Sequence, residues 1–511
     1  SVVLLCSGFA LYSFFRLSAA EGQKDFNLYE LVPSTTSAVF VTDDVLEFVA
    51  EVDELTCSKN QQYLYVSKLF SYLKQSLYAL SEDTPHGLSR QMNQMLISFH
   101  EPDNERNQVL YCRLGNGDKE LVNRFVRKYI SSLYPPKTFI YKGEEIIIYP
   151  MADGDFLACY LTSDFMALSF QKKLIENVID AYKSGKSLAD DSTFTGIRAP
   201  KKSAAAATIY TRMQGMMGWT EFDMKMKDDF IYFSGITHDA DTCFAFINQL
   251  RQQQSVKGFP GEVLPSTAFY FSRQGITDWV SLLSYGNAQG QSVPARTSEV
   301  QNRDKEFSRY LMENAGQDLV ACLFQREDTL QGAAAVLSLS VADVTEAERM
   351  LRALVNAASA DEGRRNPRIT FCYTVNKAYP IYRLPQTTLF EQLTSFAEPT
   401  LDVYAAFYGG RLLLAPDADA LAHYIRQLDK GEVLNGAMAY QTGMDHLSDS
   451  YHFMLMADFD HIFQQSENHV RFVPDFFLRN ADFFCHFTLF VQFACADGMV
   501  YPNIVLKYKS E

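Results

Sequence analysis

Met166-Ala167-Leu168-Ser169, then Ile175, Val178, Ile179 and Tyr182, then Gly185, Leu188 and Phe194, is a pattern of residue types that the chain uses twice. It returns without a gap at Leu412-Leu413-Leu414-Ala415, then Leu421, Tyr424, Ile425 and Leu428, then Gly431, Leu434 and Tyr440. The four-residue apolar run reads as a buried strand, and the next four positions fall on one face of a helix. Glycine then stands where a helix C-cap needs a positive φ. Two stretches that agree in polarity, order and turn residue predict one structural unit used twice.

The agreement extends outward. Leu31-Val32-Pro33-Ser34-Thr35 opens a strand near Ala38–Val41 and a helix capped by Asp43 or Asp44 and carrying Val45, Phe48 and Val49. Val263-Leu264-Pro265-Ser266-Thr267 opens Ala268–Phe271 and a helix with Ile276, Trp279, Val280 and Leu283. Leu96–Glu101 matches Ala321–Arg326, and Gln108–Leu114 matches Ala334–Ser340. Each second strand is followed by an amphipathic helix, one with Leu121, Phe125, Val126 and Ile130, the other with Ala347, Leu351, Leu354 and Val355. Closing strands are expected at Ala205–Arg212 and Tyr451–Ala457, then at Phe222–Ile236, Phe483–Ala494 and Ile504–Tyr508. In Phe487, Leu489, Val491 and Phe493 the period of two predicts a half-buried strand with those side chains inward.

The expected architecture is therefore α+β: two diverged copies of a module with a mainly antiparallel sheet and helices packed on one face. The boundaries read as a membrane anchor or signal segment over 1–20 and a first module over 21–236 with a helical insert at 61–95. A linker follows over 237–260, in part helical at Ala240–Gln254, and then a second module over 261–511. The insert's buried face would be Leu64, Val66, Leu69, Phe70, Leu73 and Leu77, with a second helix at Leu88–Met95.

Composition fits this. The 511 residues exceed one ordinary core. Apolar residues make up 47% and charged residues 21%, which is globular, and 39 Phe with 28 Tyr lean towards sheet. A net charge of -15 repels phosphate backbones, and the pairs Lys201-Lys202 and Arg364-Arg365 are too short to override it. Nucleic acid is excluded as a partner. The nine cysteines form no CxxC and most lie in apolar runs, so they read as buried free thiols.

Residues 2–15 carry no charge before Arg16. The run is shorter than a bilayer span, and it reads as part of a signal anchor or, with Ser18-Ala19-Ala20 before Glu21, as a cleaved signal peptide. Leu5 before Cys6 does not suit a lipid attachment site. Either leading reading puts the main domain outside the cytoplasm, in the periplasm.

Phe165–Ser169, Ser184-Gly185-Lys186-Ser187-Leu188 on to Phe194, the opening Leu31–Thr35 and the apolar N-terminus together resemble a bacterial envelope family whose defining domain has no known function. The likeness covers most of residues 25–460 loosely and is specific around 165–194. The second copy departs from it, with Gly431-Glu432-Val433-Leu434 in place of Gly185-Lys186-Ser187-Leu188. The resemblance implies an envelope location, a membrane segment and a repeated module; it implies no activity and no site residues.

No motif rises above its structural alternative. Gly185-Lys186-Ser187 follows a helix and has Asp180 where a phosphate loop needs glycine. Ser71 and Lys74 fit S-x-x-K without its partner elements, and Gly115-Asn116-Gly117 reads as a turn. Asp445, His446, Asp449, His452, Asp458, Asp460 and His461 could supply ligands for a divalent ion, but they lack tight spacing and have no counterpart in the first copy. Asp190-Asp191, Asp228-Asp229 and Glu144-Glu145 are adjacent, which on a strand points them to opposite faces. The expectation is no catalytic, metal or cofactor residues and no cofactor. The function expected is a membrane-anchored binding or scaffold protein with a protein or envelope-component partner. The alternative is an extracytoplasmic hydrolase whose site is assembled from distant residues.

Overall fold

The computed structural model describes residues 26–60 and 94–509, apart from 102–103, 105, 116–117, 128–133, 152–153, 199–204, 213–217, 238–244, 284–296, 327–332, 362–368, 376, 395–399 and 466–472. The 1–20 segment, Ser71, Lys74 and the expected insert up to residue 93 lie outside the described residues. Met95, expected to end that insert's second helix, instead starts a strand. Among the described residues no helix is long and apolar enough to cross a membrane.

The protein is mixed α+β with a large, mainly antiparallel sheet, and it divides into two compact units. The first gathers the described residues of Ser1–Val49 and Tyr65–Lys202, the second those of Ala50–Leu64 and Ser203–Glu511.

The first unit contains β1 (Ala38–Thr42), β2 (Met95–Phe99), β3 (Gln108–Arg113), β4 (Lys137–Tyr141), β5 (Glu144–Pro150), β6 (Phe156–Leu161) and β7 (Phe165–Ser169). They pair antiparallel in the order β1-β2-β3-β7-β6-β5-β4. The helix Lys172–Ser184 buries Ile175, Val178 and Ile179, the face its 3.6-residue spacing predicts, and Gly185 ends it at φ 62.

The second unit contains β8 (Ala207–Thr211), β9 (Thr220–Lys227), β10 (Phe230–Thr237), the short β11 (Val256–Lys257), β12 (Ala268–Gly275), β13 (Ala315–Gln325), β14 (Ala333–Val341), β15 (Ile369–Tyr373), β16 (Ala378–Arg383), β17 (Tyr404–Tyr408) and β18 (Arg411–Ala415). The short β19 (Ser450–Tyr451) pairs with β11, and β20 (Phe453–Asp458), β21 (Phe487–Ala496) and β22 (Met499–Tyr508) close the chain. Seven of these strands pair antiparallel in the order β12-β13-β14-β18-β17-β16-β15. Beyond β12 the sheet continues β20-β21-β22-β10-β9-β8. Residues 203–236, placed by sequence in the first module, group with the second unit because β10 runs along β22. Of the expected linker, Ala245–Arg251 is helical.

Helices in the second unit cover both faces of the sheet, not one. In the second unit Cys372 of β15 lies opposite Tyr379 of β16, and its thiol meets the backbone of Ala422 in the helix Ala418–Asp429. Tyr382, three residues past Tyr379 and so on the other face, accepts a hydrogen bond from Arg352 of the helix Val344–Asp361. The unbroken apolar runs Leu319–Phe324 and Ala334–Leu337 are what burial on two faces requires. The same cause corrects the period-two reading of β21. Phe490 and Gln492 are fully buried, while Val491 and Phe493 are half-buried. Gln492 tolerates this because its amide both accepts from the Ser448 N–H (3.0 Å) and donates to the Ser448 carbonyl (2.7 Å).

Candidate functional site

The segment after each long helix is held by the same contacts. In the first unit Leu188 N–H donates to the Val32 carbonyl (2.8 Å) and Ser34 N–H to the Lys186 carbonyl (3.3 Å). In the second, Leu434 N–H donates to Leu264 (2.9 Å) and Ser266 N–H to Glu432 (2.8 Å). Isolated bridges Pro33–Ser187 and Pro265–Val433 occupy the same places. Gly185-Lys186-Ser187 is thus a capped helix end clasped to the Leu-Val-Pro turn, and its Ser187 hydroxyl donates to Asp190 (2.7 Å). It has no geometry for phosphate.

The acidic pairs do not converge. Asp190 holds the Ser187 turn, whereas Asp191 caps the helix Ser192–Ile197 by accepting from Thr193 and Phe194 N–H. Asp228 sits at φ 51 in the β9–β10 turn. Glu144 pairs with Lys183 (2.8 Å), and its neighbour Glu145 is exposed.

The Asp/His set near the C-terminal end of the chain separates into unconnected pieces. Asp449 accepts from Gly258 N–H (3.1 Å), the His446 ring packs on Phe230 and meets the Tyr232 hydroxyl (3.3 Å), and His452 Nδ1 accepts from Cys495 N–H (3.1 Å). Asp458 is the one hub: it meets His461 at 3.2 Å and Lys509 at 2.7 Å. Burial pushes its carboxyl up, but the hydrogen bonds from His461 and Lys509 outweigh that and hold it below the ordinary range. The bond to Asp458 raises His461 in turn. A lysine ammonium occupies the place a cation would take. Among the described residues no group of three or more His, Cys, Asp or Glu side chains is placed to hold a metal ion.

Two polar clusters escaped the sequence reading. In the first unit Ser98 Oγ lies 2.9 Å from His100 Nε2 and 3.0 Å from the Tyr111 hydroxyl. Burial lowers His100 to about 4, so the ring is neutral at pH 7 and can accept a hydrogen bond from the serine hydroxyl, but it is a weak general base. Ser98 and Tyr111, however, are fully enclosed, which bars a substrate from the oxygen. In the second unit Asp318 stands between Arg273 (2.9 Å) and Arg411 (3.2 Å), all three largely buried. Burial raises the Asp318 carboxyl and the two guanidiniums overcome it, leaving it below its usual range. Arg273 also donates to the Gly258 carbonyl (2.8 Å), and Arg411 to the Ser338 carbonyl (2.9 Å). The charges are paired and hydrogen-bonded, which is what a structural tie between strands needs. Ser98 and His100 stand two apart, a spacing that puts them on one face, whereas Tyr111 and the three members of the ionic cluster come from different strands, which local spacing does not reveal.

The described cysteines are free thiols, and burial pushes Cys112 and Cys159 up to about 12, so neither is a nucleophile at neutral pH.

Exposed apolar side chains occur at several places, and two of these are matched strands at one end of each unit's seven-strand order. In β4 Phe139 and Ile140 are 42% and 71% exposed; in β15 Ile369, Phe371 and Tyr373 are 40%, 51% and 70% exposed. Both strands hold the same position in their unit's order, with one neighbour each among the described residues. No family model matches the chain, and neither a curated protein nor a solved structure matches it.

Proposed function

We propose that this is a non-catalytic, membrane-anchored envelope protein that works as a binding or scaffold module, built from two diverged copies of one α+β module over 21–236 and 261–511. The repeat is supported by the identical order of seven strands in each unit and by the matched clasps at Leu188 and Leu434. The anchor and the periplasmic location rest on the uncharged segment 2–15 and on the envelope-family resemblance.

The observation that carries binding is the pair of equivalent edges. An unpaired, apolar strand edge is an aggregation hazard unless something covers it, and strand addition is a common way for a partner to do so. Photo-crosslinking probes placed at Phe139 and at Phe371 in the full chain, in native membranes, test this. The expected result is one defined adduct from each edge, lost when the exposed apolar neighbours of the probe (Ile140 in β4; Ile369 and Tyr373 in β15) are replaced by lysine. No adduct from either edge contradicts binding.

The alternative, an extracytoplasmic hydrolase, would have to draw on the Ser98–His100 pair, and the enclosure of Ser98 stands against it. If the purified chain hydrolyses a generic ester or peptide and Ser98→Ala abolishes it, the hydrolase replaces the binder.

A further inference from the structure

We propose that the free edge of β15 is a dimerisation strand, pairing antiparallel with β15 of a second copy of this chain about a twofold axis at Phe371; this deepens, and rests on, the reading of the strand edges as docking sites. Three observations carry it. The first is where the backbone of β15 points. Against β16 its residues pair as Thr370–Ile381, Phe371–Pro380 and Cys372–Tyr379, and past the strand Thr374 N–H donates to the Lys377 carbonyl (2.9 Å). In an antiparallel pair every second residue exchanges hydrogen bonds with its neighbour. Thr370, Cys372 and Thr374 therefore bond inward, and Ile369, Phe371 and Tyr373 aim their N–H and C=O groups out of the sheet. Pro380, which has no N–H to give, stands opposite Phe371, where none is called for. Among the described residues nothing pairs with that outer edge.

The second is that the same three residues carry the exposed side chains. Cys372 faces the helix Ala418–Asp429, so Ile369, Phe371 and Tyr373 lie on the opposite face, with Val375 (97% exposed) beyond them. The Phe371 and Tyr373 rings lie 6.3 Å apart. Ile369–Val375 contains no charge to guard this edge. In the first unit the two-residue turn Lys142-Gly143 makes Tyr141–Glu144 a bonded pair and leaves Thr138 and Ile140 outward, bracketed by Lys137 and Lys142. The scaffold does not demand an apolar edge, and the inference concerns β15 alone.

The third is symmetry. A twofold axis at Phe371 joins that residue to its counterpart and Ile369 to Tyr373 of the second copy, one aromatic pair and two aromatic–β-branched pairs. All three outward residues then exchange backbone hydrogen bonds across the axis, about six in total. No other antiparallel register of the strand with itself uses all three. Such an interface is isologous and closes at two chains. Because the strand is neutral, chains of net charge -15 meet along it without opposed like charges.

Sedimentation of the purified full chain in a mild detergent tests this, with Phe371→Lys and Ile140→Lys as paired variants. The chain is expected to dimerise reversibly. Phe371→Lys, which sets two ammonium groups against each other at the axis, should raise the dimer dissociation constant about tenfold or more, while Ile140→Lys keeps the unsubstituted value. Position 371 is half exposed, so an unchanged thermal unfolding curve should show that the variant keeps its fold. A photo-crosslinking probe at Phe371, in a mixture of light and heavy-isotope chains, identifies the occupant. The expected adduct joins one light and one heavy chain through Ile369–Val375. A dimer that Phe371→Lys does not weaken overturns the inference. A monomer whose probe captures a different protein in native membranes overturns the second copy and leaves edge docking intact. A monomer with no adduct overturns both.

Discussion

The two units share a strand order and differ in what they bury within it. At one end of the first unit's sheet sits a neutral trio, Ser98, His100 and Tyr111; the second unit has Leu323, Gln325 and Leu337 at the positions that sequence matching assigns to them. The second unit instead encloses an ionic trio, Arg273, Asp318 and Arg411. Their helix ends exchange charges position by position, Asp180, Lys183 and Lys186 against Arg426, Asp429 and Glu432. The lesson is that pairing order and helix seating depend on apolar pattern, which both units keep. Polar content is free to change wherever a local partner satisfies it.

Breaking that comparison begins with the ion trio. Asp318→Ala leaves two buried guanidiniums without their carboxylate, and should cost about 3–5 kcal/mol in denaturant unfolding, the largest single effect expected. Unfolding of the second unit should shift while that of the first stays put. Matched core truncations come next. Ile179 and Ile425 are both fully buried on their helices, so Ile179→Ala and Ile425→Ala should each cost about 2–5 kcal/mol, and similar costs would sharpen the equivalence.

A smaller effect separates the units by pH. His100 titrates near 4 in the folded chain and near 6.5 when unfolded, so the unfolded state binds more protons between those values. Stability from His100 is therefore present above about pH 6.5 and is lost as pH falls towards 4, by roughly 1–3 kcal/mol. His100→Gln, which copies Gln325, should flatten that slope in acid unfolding curves. The smallest effect belongs to the caps: Gly185→Ala and Gly431→Ala place a Cβ at φ 62 and 75, each costing about 1 kcal/mol, and equal losses are expected.

Much of the frame was legible because it is local. The Met166–Phe194 pattern predicted a strand, a helix face and a glycine cap, and β7, Lys172–Ser184 and Gly185 follow it. Edge β15 and the two-faced cover were less legible. Leu319–Phe324 is an unbroken apolar run, a signal of burial on both sides that the expectation of helices on one face does not use. Gln492 hid in an alternating strand because its partner, Ser448, is distant in sequence. The Arg273–Asp318–Arg411 cluster, and the contact of Tyr111 with Ser98, are made by cross-strand register, which single-sequence spacing does not carry; the Ser98–His100 pair is local, and its spacing of two was an overlooked signal. The Asp/His run from 445 to 461 was the converse: neighbours in sequence that the fold directs to separate partners.

The central claim, that one module is built twice, is tested most directly by hydrogen exchange at the matched clasps. The amides of Leu188 and Leu434, in the segments after the helices, donate to the Leu-Val-Pro and Val-Leu-Pro turns, and those of Ser34 and Ser266 donate back from the turns to those segments. The account predicts that both members of each pair are protected far beyond a solvated turn amide. If one member is protected and its counterpart exchanges at the rate of an open loop, the two units are not built alike and the claim fails.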